Sequence, residues 1–309
     1  VYGFPTKYEN SRWILINEDM FKEAGLDIPY DGWTYSEFLT DAEKLTHGEG
    51  QDKVYGVCWA RKQSGKSILY ALDGVLGANQ IYKNEEGTEV NFDNDVYRAG
   101  LNLVKETLDK GYAIPIEDEF SEDISVANTF LQGKCAIMLG VAQMRLCMDQ
   151  ENYPHDFMTA LVPAPVPDDE KYNTEFYRKQ IGTTGAGDLL SISANTKYPE
   201  ASFEFAMWYL KGGMSPLVQG GRIPLWNGVN KDEVLSVLKE KAQGSIDMDS
   251  MENYLSLDTT QGVAAIKGHA SSEISSAWFE EFDAMCYGKQ SVDQTVQNME
   301  KRGNELIQT

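Results

Sequence analysis

The chain has 309 residues, and 27 lysines and arginines against 48 aspartates and glutamates give a formal net charge of −21. With 42% hydrophobic residues, the composition is typical of a folded protein, and the length permits one large or two ordinary domains. The charge argues against nucleic acid and anionic membrane surfaces as partners, because both need a basic patch. The longest apolar stretch, residues 136–142, is far shorter than the roughly 20 residues that span a bilayer.

Short apolar runs alternate with capped amphipathic helices, which predicts an α/β protein. The predicted strands are 13–16, 54–57, 135–139, 159–162 and 188–193. Helices are predicted after the capping boxes Thr34-x-x-Glu37 and Ser291-x-x-Gln294, after Asp93, over 124–131 and from Pro199. The strongest linker signal is the run of prolines at 163, 165 and 167 with the acidic residues that follow.

The four cysteines, Cys58, Cys135, Cys147 and Cys286, have no C-x-x-C spacing and no histidine at a metal-ligand distance in sequence. We therefore expect buried free thiols, and no metal or cofactor. The first residues, VYGFP, include no start methionine, basic segment or signal-peptide core. We expect a processed or truncated chain.

Three motif candidates fail on their spacing. Residues 64–67 read SGKS, but a phosphate-binding loop would need a glycine at position 60, where the residue is Ala. The glycines at 182, 185 and 187 stand in the wrong order for a dinucleotide fingerprint, and Met251 interrupts a calcium-loop pattern that starts at Asp247. No catalytic residue is predicted.

The six tryptophans divide into two groups. Trp33 and Trp208 lie in helical contexts, which predicts core packing for both. The other four border turns, glycines or polar residues: Trp13, Trp59, Trp226 and Trp278. These rings either stack on the C–H faces of a sugar or are partly exposed core or interface residues, and the pattern favours neither interpretation.

Six segments, in order along nearly the whole chain, carry a family resemblance. They read VYGFP (1–5), INEDMFKEAGLD (16–27), WTYSEF (33–38), FLQGKCAIM (130–138), AGDLLSIS followed by KYPEA (186–201), and GRIP (221–224). No single segment is specific. Together, in this order and spacing, they resemble the family 1 extracellular solute-binding proteins of ABC importers, the group that includes maltose-binding protein.

The resemblance implies a type II periplasmic-binding-protein-like α/β fold, with two lobes around a ligand cleft. The family's first lobe normally starts well before the segment that matches residues 1–5, so lobe one is expected to be incomplete. Lobe two is predicted at 13–162 plus 214–309. A remnant of lobe one, with the hinge strands, is predicted at 1–12 plus 163–213.

The resemblance also implies where a ligand is held. Many sugar-binding members read G-P-W after the strand that matches 135–139, whereas this chain continues Gly140-Val141-Ala142-Gln143, so that stacking residue is missing. The expected ligand-binding residues are Trp13, Trp59, Arg61, Gln143, Gly185, Gly187, Arg222, Trp226 and Trp278. Ordinary surface ion pairs are the alternative role for the two arginines.

The implied function is the substrate-binding component of a carbohydrate ABC importer, with a small-molecule solute and the membrane permease as partners. A non-sugar solute such as a peptide, polyol or cation-bearing molecule is the alternative, and a glycoside hydrolase is a remote one. The expected location is extracytoplasmic, either lipid-anchored at the cell surface or periplasmic. If most of lobe one is absent, the chain is expected to bind ligand weakly and to associate with itself.

Overall fold

The computed structural model describes most of the chain. The described residues are 3–6, 13–61, 82–84, 86–122, 124–140, 143–175, 178, 189–213, 215–224, 226, 228–256 and 271–308. Within these ranges, no helix is both long enough and apolar enough to cross a membrane.

Among the described residues, six strands form two separate sheets. They are β1 (Phe4–Pro5), β2 (Trp13–Asn17), β3 (Tyr55–Cys58), β4 (Cys135–Leu139), β5 (Thr159–Pro163) and β6 (Leu189–Leu190). The main sheet has the order β3-β4-β2-β5, and the small sheet pairs β1 with β6 in antiparallel orientation. In the main sheet, β2 is antiparallel to both of its neighbours while β3 and β4 are parallel.

The strand directions bring four chain positions to one edge of the main sheet. Leu139 pairs with Ile14, and Pro163 pairs with Trp13. Since β3 runs parallel to β4, Cys58 lies at this edge as well. We call this edge, where β3, β4 and β5 end and β2 begins, the carboxyl edge. The two connections toward the small sheet leave from it.

Eleven α-helices surround these sheets in the described part of the chain. They are α1 (Glu18–Glu23), α2 (Tyr35–Leu45), α3 (Asp95–Asp109), α4 (Ile116–Ser121), α5 (Met144–Cys147), α6 (Pro199–Trp208), α7 (Ser215–Gln219), α8 (Lys231–Ala242), α9 (Met248–Ser256), α10 (Ser271–Cys286) and α11 (Val292–Ile307). Short π-helical segments span Val126–Phe130 and Tyr209–Gly213, and a 3-10 turn spans Gly50–Asp52.

Both faces of the main sheet are covered, so β2, β4 and β5 are buried throughout, and in β3 only Tyr55 is partly exposed. Side chains alternate along β2: Ile14 and Ile16 join a core with α2, α3, α10 and α11, and Leu15 joins a core with α8 and α9. A sheet with two covered faces produces continuous apolar runs such as CAIML, which explains why these strands were visible in the sequence.

Most predicted elements are present, with shifted details. Both capping boxes form, at Thr34 and at Ser291. Asn94, rather than Asp93, caps α3. Of the predicted strand 188–193, Asp188 lies outside the described residues, and among the other five only Leu189 and Leu190 are paired. The proline run, predicted as a linker, packs beside the main sheet. Val166 is buried, and its backbone forms hydrogen bonds with the backbone of Trp33 and Tyr35.

The two tryptophans for which core packing was predicted have opposite outcomes. Trp33 is buried, and its indole N–H donates to the Pro163 carbonyl at 3.0 Å, so its predicted core role is confirmed. The prediction for Trp208 is wrong, since it is 60% exposed. The reason is that α6 is apolar on several faces, and only Ala206 among its residues is buried.

Candidate functional site

The carboxyl edge is the candidate ligand site, since ligands of open α/β sheets bind outside the carboxyl ends of the strands. Arg61 lies here, three residues after the end of β3. A small apolar cavity of about 30 Å³ also reaches this edge between α2 and α3. It is lined by Ile14, Tyr35, Phe38, Trp59, Leu139 and Pro165, among others.

The Arg61 side chain is fixed by α10. Its Nε and Nη2 donate to the two carboxylate oxygens of Asp283 at 2.8 and 3.0 Å, and its guanidinium lies 4.1 Å from the Phe279 ring centroid. The side chain is only 14% exposed. Burial raises the pKa of Asp283, and the Arg61 guanidinium partly offsets that rise. Arg61 therefore forms a buried bidentate ion pair rather than an ordinary surface pair.

The backbone beside Arg61 is strained. Ala60 has a φ of 49°, and Gln243 is the only other non-glycine residue with a positive φ in the described ranges. The Arg61 N–H donates to Glu119 Oε2, and the Cys58 thiol lies 4.0 Å from Glu119 Oε1. Glu119 is 1% exposed. A left-handed alanine raises the free energy of the folded state by about 1–2 kcal/mol. The hydrogen bonds to Glu119 therefore hold the backbone of Ala60 and Arg61 in this conformation.

Three of the predicted ligand tryptophans lie in the cores. The Trp13 ring packs edge-on against Tyr254 at 5.3 Å, and the Trp278 ring stacks on Phe282 at 5.1 Å. Trp59 donates from its indole N–H to Thr107 Oγ1 at 2.8 Å. All three are buried, which favours the core interpretation for them over stacking on a ligand.

Trp226 differs from these three, since 40% of it is exposed. It is the predicted stacking residue whose ring remains accessible to a solute.

Gln143 and the 221–222 turn are brought together through Arg145. Arg145 Nη2 donates to Gln143 Oε1 at 3.0 Å. Gly221 has a φ of +74°, and a Cβ there would lie 2.8 Å from the Arg145 Cβ, so the turn that carries Arg222 packs directly on α5. Gly185 and Gly187 lie outside the described residues.

Two larger polar grooves lie at the opposite edge of the main sheet, away from Arg61. Their volumes are about 420 and 520 Å³. Both are lined by Asp19, His155, Asp156 and Phe157. They are larger than the apolar cavity at the carboxyl edge.

Sequence reasoning missed three residues that shape the carboxyl edge: Glu119, Arg145 and Asp283. No local signal marks Asp283, which is separated from Arg61 by 222 positions. Among the described residues, no three histidine, cysteine, aspartate or glutamate side chains converge as a metal ion would require. The described cysteines carry free thiols. Cys58, Cys135 and Cys147 are buried as predicted, whereas Cys286 is only partly buried.

The described residues form a mixed α/β fold with one four-stranded and one two-stranded sheet. The profile of the family described as "Bacterial extracellular solute-binding protein" matches residues 2–211, which is more than half of the chain. The chain belongs to this family, as its sequence segments indicated. The family is extracellular, so the protein is extracytoplasmic.

Solved structures confirm the type II periplasmic-binding-protein-like fold. A Listeria monocytogenes ABC substrate-binding protein in complex with cycloalternan is 17% identical, with a TM-score of 0.71 over 98% of this chain and 71% of that one. A Thermotoga lettingae solute-binding protein bound with α-D-tagatose is 16% identical, with a TM-score of 0.70 over 99% and 72%. A Rhizobium etli sugar transporter in an open conformation is 17% identical, with a TM-score of 0.69 over 98% and 72%.

Proposed function

We propose that this protein captures a sugar or oligosaccharide without chemical change and delivers it to the permease of an ABC importer. The observation that carries the proposal is the family match over residues 2–211. The ligands in the similar structures, cycloalternan and α-D-tagatose, support a carbohydrate as the solute. Binding without catalysis follows from the same family, whose members and structural neighbours are binding proteins.

The proposed ligand site is the carboxyl edge. Arg61, Gln143, Arg222 and Trp226 are the proposed contacts, together with Gly185 and Gly187, which lie outside the described residues. Trp226 would supply a stacking face, because its ring is partly exposed. The buried Trp13, Trp59 and Trp278 would act as the rigid layer behind these contacts.

The proposed domain division follows the two sheets. Lobe two would comprise 13–162 plus 214–309, and the four strands of the main sheet support this, since they span Trp13 to Pro163. The remnant of lobe one and the hinge strands, 1–12 plus 163–213, would contain β1, β6 and α6.

The test is calorimetry of the full-length protein against glucose, galactose, tagatose, maltose, maltotriose and cycloalternan. At least one sugar should bind with a dissociation constant in the micromolar range or tighter, and Trp226→Ala should weaken that binding. A chain that binds none of these sugars would refute the carbohydrate proposal.

A non-sugar solute is the second candidate, and one observation favours it. Gly140-Val141-Ala142-Gln143 stands where many sugar-binding members read G-P-W, and the Gln143 side chain bonds with Arg145 rather than offering an aromatic face. Peptides, polyols and choline added to the same calorimetric panel would identify such a solute.

A further inference from the structure

All four strands of the main sheet contribute to one cavity at the carboxyl edge. Ile14 lies at the start of β2, Leu139 ends β4, Trp59 directly follows β3 and Ala164 directly follows β5, and all four line the apolar cavity of about 30 Å³. We call this space the edge cavity. Since ligands of open α/β sheets bind outside this end of the strands, the edge cavity lies at the proposed ligand site.

The walls of the edge cavity are apolar. Besides the strand ends, α2 contributes Tyr35 and Phe38, and α3 contributes Val104 among others. None of the described lining residues is charged, and the indole N–H of Trp59 already donates to Thr107 Oγ1 at 2.8 Å. Such a cavity excludes water and favours a carbon group over a hydroxyl group.

Hydrogen bonds hold these walls apart. The indole N–H of Trp33 donates to the Pro163 carbonyl at 3.0 Å, and the Tyr35 N–H donates to the Val166 carbonyl at 2.8 Å, which fixes the residues after β5 against the start of α2. The bond from Trp59 fixes the end of β3 to α3 in the same way. Protein interiors contain few voids larger than a water molecule, because the lining of a void loses contacts. Here the walls cannot close the gap without breaking these bonds, so the cavity is preformed.

The volume of the edge cavity limits the group that fits. Its 30 Å³ exceed the roughly 10–15 Å³ that one water-sized group needs, but they are far below the roughly 300–1,000 Å³ of pockets that hold whole ligands. The edge cavity therefore admits a methyl group, whereas a sugar ring must stay outside it.

We propose that the edge cavity receives a methyl group of the solute, and that the protein therefore prefers 6-deoxyhexoses or N-acetyl sugars. This inference rests on the proposed function, to which it adds the chemical class of the sugar. One extra carbon group in a hydrophobic pocket raises affinity by about 10- to 200-fold. A hydroxymethyl group would instead bring a hydroxyl without a partner into apolar surroundings.

The first arm of the test is calorimetry of the full-length protein on sugars that differ at this one group. D-Xylose, 6-deoxy-D-glucose and D-glucose carry hydrogen, methyl and hydroxymethyl on the same ring carbon, and L-arabinose, D-fucose and D-galactose form a second such series. N-formyl- and N-acetyl-D-glucosamine differ by one methyl group. In at least one of these sets the methyl member should bind about tenfold tighter than the others, and that set identifies the source of the methyl group.

The second arm fills the edge cavity. Val104→Ile adds one methylene to its wall and should reduce the preference for the methyl member to about threefold or less, because part of the space is then occupied. Val104→Thr keeps the shape of the side chain but adds a hydroxyl, so it should reduce the preference even if the isoleucine packs away from the cavity. An undiminished preference in both variants would overturn the proposal.

Val96→Ile is the matched control. Val96 is buried on the same helix, α3, but it does not line the edge cavity. This variant should keep the wild-type preference, and an equal reduction in the Val96 and Val104 variants would overturn the assignment to the cavity.

The first arm also separates this inference from the proposed function. If the protein binds a sugar but favours no methyl member, this inference fails and the proposed function stands. If it binds no sugar of these sets or of the earlier panel, both fail.

Discussion

At the scale of single residues, Asp41 occupies an unfavourable position for a charge. It lies half-buried on α2, where desolvation raises the pKa of its carboxyl to about 6, against an opposing effect of Lys44. An unfolded aspartate has a pKa near 3.8. Since folding favours the protonated form, deprotonation of Asp41 lowers the free energy of unfolding as the pH rises from about 4 to 6. Above pH 6 this loss of stability has reached its full size.

Asp41→Asn should therefore raise the free energy of unfolding at pH 7.5 by about 1–2 kcal/mol, with little change at pH 4. Urea denaturation at pH 7.5 and at pH 4 measures the change in the free energy of unfolding under each condition. The exposed Asp52, changed to Asn, is the control for the substitution itself. A gain for Asp41→Asn that is equal at both pH values would contradict the argument.

Gly56 allows the closest approach between α2 and β3. A Cβ at this position would lie 2.2 Å from the Ala42 carbonyl oxygen, and the Gly56 N–H donates to Thr46 Oγ1 at 2.9 Å. Neither backbone can move without breaking these contacts. Gly56→Ala should lower the free energy of unfolding by about 3 kcal/mol or more, measured by chemical denaturation.

Gly25 provides the comparison for that variant. It has a φ of +68°, but nothing lies within 4 Å of the Cβ that an alanine would add. Gly25→Ala should cost only about 1–2 kcal/mol, from the left-handed backbone alone. If both variants lose the same stability, crowding at Gly56 is not the cause.

At the scale of elements, the last helix depends on its first turn. Ser291 Oγ accepts from the Gln294 N–H, and Gln294 Oε1 accepts from the Ser291 N–H. Ser291→Ala removes the first bond and should lower the free energy of unfolding by about 1 kcal/mol. Thermal and urea denaturation check the value.

Ser236 is the matched control, an exposed serine within α8. Ser236→Ala should be neutral or slightly stabilising, because alanine has the higher helix propensity. A loss in this variant as large as that for Ser291→Ala would contradict a capping role.

Elements whose signals are local were predictable from sequence. Both capping boxes and the strand at 135–139 were found where predicted, since three or four neighbouring residues determine them. The turn over Val126–Phe130 is π-helical, although its apolar spacing resembles that of an α-helix. β6 is short because its pairing depends on β1, which is distant in sequence.

The candidate site was predictable only in part. Arg61 was selected from its place after a strand, but Glu119 and Asp283 meet it through tertiary packing of α4 and α10. The sequence could not decide whether the tryptophans pack in the core or stack on a ligand, because their burial depends on which helices cover the sheet. Trp278 is enclosed by α10 neighbours such as Phe282, whereas Trp226 is partly exposed.

At the scale of the whole molecule, α6 and the small sheet present an apolar surface. Its exposed side chains are Leu189, Tyr198, Phe203, Phe205 and Trp208. Such a patch promotes association in water. The 309-residue chain should therefore self-associate, and the double change Phe205→Ser with Trp208→Gln should raise its self-dissociation constant at least tenfold, since each large apolar side chain contributes about 1.5–3 kcal/mol. Sedimentation velocity measures the change.

Tyr287→Ser is the control for that experiment. Tyr287 is also an exposed aromatic residue, but it follows α10 and does not belong to α6 or the small sheet. It should leave the sedimentation profile unchanged. A chain that is monomeric at every concentration, or a Tyr287 variant that dissociates equally, would contradict a specific role for α6.

The position of β2 in the main sheet has a consequence for synthesis. β2 is the first strand of that sheet in the chain, yet it lies between β4 and β5, which begin at Cys135 and Thr159. At about 5–20 residues per second, a ribosome needs on the order of ten seconds to supply these partners. During that interval the apolar sequence WILI has two open edges, a template for aggregation. We therefore expect a holding chaperone to shield β2 in the nascent chain.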